Sequence, residues 1–228
     1  MIKQTQTFLN YFLDLQLVTD GIQGEKTNAA IRDAITKLQR KFAKEKLTWD
    51  PNFNFIGIRT SNEFTDLFTD WFVVFAYGTL IAVPASTKSG LIGVAEGQDN
   101  WHGGINGVLV IAPNQTIDYL LVNPNDPKET FTFQNKRWSG RSFLYQDKDF
   151  FYYRDNNGDR IVDYGTKHHG GAWVIGGNVH TWKGYEYDLL YNLTKGCQVC
   201  KESDFNPIEQ LWLKFHVNKR IQYHLLQW

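Results

Sequence analysis

The chain has 228 residues, enough for one large domain or for a small module joined to a medium one. Its 24 basic and 24 acidic residues cancel, which excludes the net basic field that draws a protein to nucleic acid. No stretch approaches the roughly 20 apolar residues needed to span a bilayer, so stable membrane insertion is not expected either.

Residues 1–46 read as a helical pair. Phe8, Leu9, Phe12 and Leu13 recur at helical spacing until Thr19-Asp20-Gly21 stops the run. Thr27, Ala30, Ile31, Ala34, Ile35, Leu38 and Phe42 then form the stripe of an amphipathic helix. Its basic end, LQRKFAKEK, suits the negative pole of the helix dipole. A pair this small sits near the lower size limit for folding alone, so it is expected to lean on its neighbour. The segment DGIQGEKTNAAI (20–31) resembles the loop-and-helix signature of the peptidoglycan-binding module of cell-wall hydrolases. Its glycines are expected where a tight interhelical turn needs positive φ. The resemblance implies wall-binding roles for Asp20, Gly21, Gly24 and Thr27. It departs after Ile31, where Ala34 and Ile35 replace the family's aromatic–glutamine pair. A generic helical hairpin with a Gly-rich turn is the plainer alternative.

From about Trp49 the texture changes. WDPNFNF (49–55) reads as a linker between the module and a domain over residues 50–228. Short β-branched and aromatic runs follow, among them WFVVFAYG, TLIAVPA, GVLVIAPNQ, DYLLVNP, ETFTFQ, RSFLYQ, DFFYYRD and AWVIGGNVH. Near the end Asn206 fits an N-cap, Pro207 the first helical position and Glu209 a capping box. Ile208, Leu211, Trp212 and Phe215 make that helix's core stripe. The expected class is α+β: a small helical module, then a β-rich, sandwich- or barrel-like domain with a C-terminal helix.

Both cysteines, Cys197 and Cys200, stand in a C-x-x-C. Two cysteines make no disulfide framework, and a redox C-x-x-C belongs at a helix start in a βαβ context that is missing here. A zinc site would need His168, His169 or His180 as further ligands, with no second pair at knuckle spacing. Cys200 reads as a buried small hydrophobe. Cys197 differs, because it follows Thr194-Lys195-Gly196. A thiol behind glycine in a sharp turn can have backbone N–H groups converging beside it. His180 closes an apolar strand, and a return loop can bring its imidazole to the thiol.

Gly177-Asn178-Val179-His180 followed by Thr194-Lys195-Gly196-Cys197 resembles the active-site pattern of L,D-transpeptidase (YkuD-like) catalytic domains. FIGIRT (55–60), PASTKSG (84–90) and YYRDNNGD (152–159) are similar to a branch of that fold seen in phage and bacterial wall-lytic proteins. The resemblance implies Cys197 as nucleophile and His180 as general base, oriented by the Thr181 carbonyl. It also implies an oxyanion hole from the amides of Lys195, Gly196 and Cys197, in a turn held by Thr194. Thr194, Gly177 and His169 are the candidates for substrate contact, with His168 and His169 either lining the cleft above Cys197 or sitting in a polar loop. Lys195 stands where many members carry His, and Val199 where they carry Arg or Asn.

The expected activity is therefore acyl transfer on peptidoglycan stem peptides by a monomer without cofactor or metal. The segment after Met1 lacks the marks of a signal peptide. This favours an endolysin-like hydrolase that is made in the cytoplasm and released to the wall. An L,D-transpeptidase or L,D-carboxypeptidase, and a non-catalytic wall-binding or virion protein, are the alternatives. Asp155, Asn157, Asp159 and Asp163 alternate like calcium ligands, but Gly158 is not at the usual sixth position and Thr166 replaces the bidentate Glu. A hairpin turn on Asn157-Gly158 is the simpler expectation.

Overall fold

The computed structural model describes residues 1–65, 67–88, 107–122, 132–133, 136–137, 143–155, 157, 159–170, 179–180, 197–215 and 220–228. Two helices open the chain, α1 (Ile2–Leu13) and α2 (Glu25–Lys44). The strands that follow are β1 (Phe53–Arg59), β2 (Asp70–Ala76), β3 (Thr79–Ser86), β4 (Val108–Ile111), β5 (Gln115–Val122), β6 (Thr132–Phe133), β7 (Lys136–Arg137), β8 (Phe143–Gln146), β9 (Phe150–Asp155), β10 (His168–Gly170), β11 (Val179–His180) and β12 (Gln198–Cys200). Helix α3 (Glu202–Phe215) and strand β13 (Arg220–Gln227) complete the chain. The fold is α+β, and among the described residues no helix is long and apolar enough to cross a membrane.

Eight strands curl into a closed barrel in the order β1-β13-β5-β8-β11-β12-β3-β2. β13 sits between β1, its parallel partner, and β5, its antiparallel partner. A three-stranded sheet β10-β9-β4 and the pair β6-β7 stand apart from this ladder. Inside the barrel Phe55, Phe72, Val83, Ile117, Tyr119 and Tyr223 belong to one buried cluster. Gly57 on β1 makes this interior possible, because a Cβ there would meet the Tyr223 hydroxyl oxygen at 1.6 Å.

The outer face is covered as well. Phe8, Leu9, Phe12, Ala34 and Leu38 of the helices share a cluster with Ile56, Ile58, Val73, Leu80 and Leu226 of the barrel. The helical pair therefore leans on its neighbour, and β1, covered on both faces, is buried along its whole length. Such a strand shows an apolar run rather than a clean alternation. The Lys37 ammonium of α2 donates to the Phe12 carbonyl at 2.6 Å, at the C-terminal end of α1 where the helix dipole favours a cation. The Ala82 amide of β3 donates to Thr5 Oγ1 at 3.2 Å, on the side where β12 pairs only Ala85 and Ser86.

Several local expectations need correction. WDPNFNF is not all linker, since β1 begins at Phe53. Asn206 is not an N-cap, because α3 begins at Glu202 and holds Pro207 inside it. The Lys201 carbonyl comes first, accepting both the Asp204 and Phe205 amides. Gly24 is the N-cap of α2 in an extended conformation, φ −86°, so only Gly21, at φ +85°, uses the freedom expected of both. No two-residue turn joins β9 to β10, for their pairing stops at Tyr152↔His168 and a long loop intervenes. The end of the chain is a barrel strand, not an extension of the helical region.

Candidate functional site

Strands β11 and β12 run parallel, with Val179 opposite Gln198 and His180 opposite Val199. Val179, Gln198 and Cys200 are fully or almost fully buried, and Val179 and Cys200 belong to the inner cluster. Successive positions of a strand alternate between faces, so Val199 occupies the face opposite to that of Gln198 and Cys200. Cys197 immediately precedes β12, two residues before Val199 and with the same parity. From a strand spacing of about 4.8 Å and a rise of about 3.3 Å per residue, the His180 and Cys197 backbones stand roughly 8 Å apart on a diagonal.

On the other side β12 pairs antiparallel with β3, Val199 opposite Ser86. Cys197 thus leads into a strand flanked by His180 on one side and by the Ser86-Thr87-Lys88 turn on the other. Neither cysteine is in a disulfide; Cys197 is half-buried and Cys200 buried. Burial pushes the Cys200 thiol well above its usual pKa, with the Asp204 carboxylate adding to the effect. Cys200 is the packing residue that its place in the sequence suggests.

A buried polar layer next to this strand went unread in the sequence. The Arg59 guanidinium donates through Nε to Thr87 Oγ1 (3.1 Å) and through a terminal nitrogen to the Thr87 carbonyl (3.0 Å). The Thr87 amide and hydroxyl donate to Asp70 Oδ2 at 2.9 and 2.7 Å, and the Thr60 amide to Asp70 Oδ1 at 3.0 Å. Lys88 lies 3.5 Å from Asp70 and donates to the Ser61 carbonyl at 2.6 Å. Burial lowers the Lys88 pKa against the opposing pull of Asp70. Within the barrel the Tyr223 hydroxyl donates to Gln198 Oε1. Tyr119, next to both, keeps its phenol protonated, chiefly through burial and secondarily through the nearby Cys197 charge. The signal for this layer was present as charged residues inside apolar runs, Arg59 after FIGI and Asp70 before WFVVFA.

His169 lies on β10 and is exposed; its ring is 3.9 Å from Asp149 and rests against Phe151 at 4.7 Å. His168 stacks on Tyr152 at 5.3 Å. Gly177, Thr181, Thr194, Lys195 and Gly196 lie outside the described residues.

In the helical pair one side chain that the sequence did not single out, Gln6, organises the loop. Its amide nitrogen donates to Asp20 Oδ1 (2.9 Å), the Ile22 carbonyl (3.0 Å) and Thr27 Oγ1 (3.3 Å), and its oxygen accepts the Gly21 amide (2.9 Å). Asp20 also accepts the Ile22 amide at 2.8 Å. The Gln6 hydrogen bond leads the contributions that lower the Asp20 pKa. Asp20, Gly21 and Thr27 are thus engaged inside the loop, while Gly24 caps α2.

No protein-family model, no curated protein and no solved structure matches the chain.

Proposed function

We propose that the protein is an endolysin-like peptidoglycan hydrolase, cutting stem-peptide or cross-bridge amide bonds through an acyl-enzyme on Cys197. The observation that carries this reading is the parallel β11–β12 register, with His180 and the half-buried Cys197 as diagonal neighbours while Cys200 is sealed in the core. In the proposed step the His180 imidazole takes the thiol proton and the thiolate sulfur adds to the amide carbonyl carbon. The C–N bond breaks as the imidazolium returns the proton to the leaving amine. Water, deprotonated by the same imidazole, then adds to the thioester and releases a carboxylate and the free thiol. The family resemblance gives the oxyanion hole to the amides of Lys195, Gly196 and Cys197, and imidazole orientation to the Thr181 carbonyl. Thr194, Gly177 and His169 are proposed to meet the peptide, and the loop of Asp20, Gly21, Gly24 and Thr27 to meet the wall. The site of action is the cell wall, reached after release from the cytoplasm.

Incubation of purified sacculi with the wild type and with Cys197→Ala tests the proposal. Soluble muropeptides are expected from the wild type alone. Unchanged sacculi with the wild type would remove the enzyme reading, and equal release by the variant would move the nucleophile elsewhere. New cross-links in place of lost ones would make the protein a transpeptidase.

A further inference from the structure

From the last residue of β9 onward the chain carries oxygen-bearing side chains at alternate positions, Asp155, Asn157 and Asp159, and, four residues on, Asp163. Asp155 is 2% exposed. Its Oδ2 accepts the Asp163 amide at 2.7 Å, but Oδ1, equally buried, has no hydrogen-bond partner. A buried carboxylate oxygen left unpaired is costly unless a cation meets it.

The backbone agrees with the side chains. Counting Asp155 as the first position, the sixth is Arg160, and it holds φ +69°. This is where a calcium loop makes its sharp turn, usually on glycine. The seventh position, Ile161, forms a bridge with Glu63. The bonds of that bridge come from its neighbours, Phe64 N–H to the Arg160 carbonyl at 2.8 Å and Val162 N–H to the Asn62 carbonyl at 2.7 Å. In such a pair the central residue's own N–H and C=O point away from the partner strand. The Ile161 amide accordingly donates back to Asp159 Oδ1 at 2.9 Å, and its carbonyl faces the loop. Val162, the eighth position, anchors the loop in a small cluster with Phe64, Val108 and Val110.

We propose that the loop Asp155–Thr166 binds a calcium-type divalent cation. Asp155, Asn157 and Asp159 supply side-chain oxygens, Ile161 its carbonyl, and Asp163 acts through water. Among the described residues no three His, Cys, Asp or Glu side chains form a ready-made cage. A loop of this type needs none, because an amide, a backbone carbonyl and water complete the shell. With Thr166 in place of the usual bidentate glutamate, affinity falls in the weak range of extracellular modules, a Kd on the order of 10⁻⁴–10⁻³ M. The proposal stands independently of the Cys197–His180 reading.

Calorimetric titration and thermal melts of the full chain, with calcium or magnesium alone as probe, test it. One calcium per chain is expected, with a melting temperature raised by roughly 3–6 °C at about 10 mM calcium. Asp155→Asn keeps the hydrogen-bond acceptor but loses the charge, and Asp159→Ala changes an exposed residue. Each is expected to weaken binding at least about tenfold, and the second keeps the test open should the first disturb folding. No heat and no melting shift with calcium, an equal rise with magnesium, or unchanged binding in Asp159→Ala would each overturn the proposal.

Discussion

Cys197 and Cys200 stand three residues apart and differ in burial. Cys200 is 1% exposed and its thiol is held protonated by burial, whereas Cys197 is half-buried at the head of its strand. Alkylation of the native protein by iodoacetamide, read by mass spectrometry, is expected to mark Cys197 first and Cys200 only after unfolding. Gly57 gives a second prediction at this scale. Gly57→Ala drives a methyl group into the Tyr223 hydroxyl, and denaturant titration is expected to show a loss of about 2–3 kcal/mol. The asymmetry of the cysteines was legible because Thr-Lys-Gly precedes only one of them. The roles of Arg59, Gln198 and Tyr223 were not, since each depends on a partner 25 or more residues away, Thr87 for Arg59 and Gln198 for Tyr223.

At the scale of elements, the contact between the helices and the barrel carries a pH signature. His224 of β13 is 2% exposed, stacks edge-on to Phe42 of α2 at 4.7 Å and meets Thr116 Oγ1 at 2.9 Å. Burial lowers its pKa from 6.5 to about 4, against the pull of the Asp118 and Asp50 carboxylates. A depressed histidine binds its proton more readily in the unfolded chain. Its neutral form therefore contributes fully above pH 6.5, and the contribution is lost as pH falls toward 4. Between pH 7 and 4 the loss from this residue is roughly 3 kcal/mol, and His224→Gln is expected to flatten that part of the stability–pH curve. Phe8, fully buried in the same contact, is expected to cost about 3–5 kcal/mol as Phe8→Ala, measured by chemical denaturation. Both N-terminal helices were legible from their 3.6-residue stripes, which owe little to distant partners. β13 was not, although Ile221, Tyr223 and Leu225 alternate with polar neighbours, because it follows a strong helical pattern. Pro207 misled for a related reason: its fitness for a first turn was real, but the helix had already begun five residues earlier.

For the whole molecule, the outer face of the barrel and the helices form one hydrophobic unit. Removing residues 1–46 would uncover Ile56, Ile58, Val73, Leu80 and Leu226 together. The truncated chain is expected to bind a hydrophobic dye and to associate in sedimentation, where the full chain does not. The α+β class and the many short strands could be read from local composition. Closure could not, because it rests on β1 meeting β13 and β2 across 150 residues or more in the first case, Phe55 with Tyr223, and only about 20 in the second, Phe53 with Ala76. No periodicity records which strands will be neighbours.

The central place of β13 has a consequence for how the molecule is born. Two strands made early in translation, β1 and β5, share a neighbour that emerges after both of them. Until it leaves the ribosome, the nascent chain holds a slot between two open sheet edges. Such edges recruit any strand that fits, including β13 from another copy. The finishing step is long-range and slow compared with local hairpins. Crowded synthesis should therefore favour strand exchange between copies, while dilute refolding should favour the closed monomer.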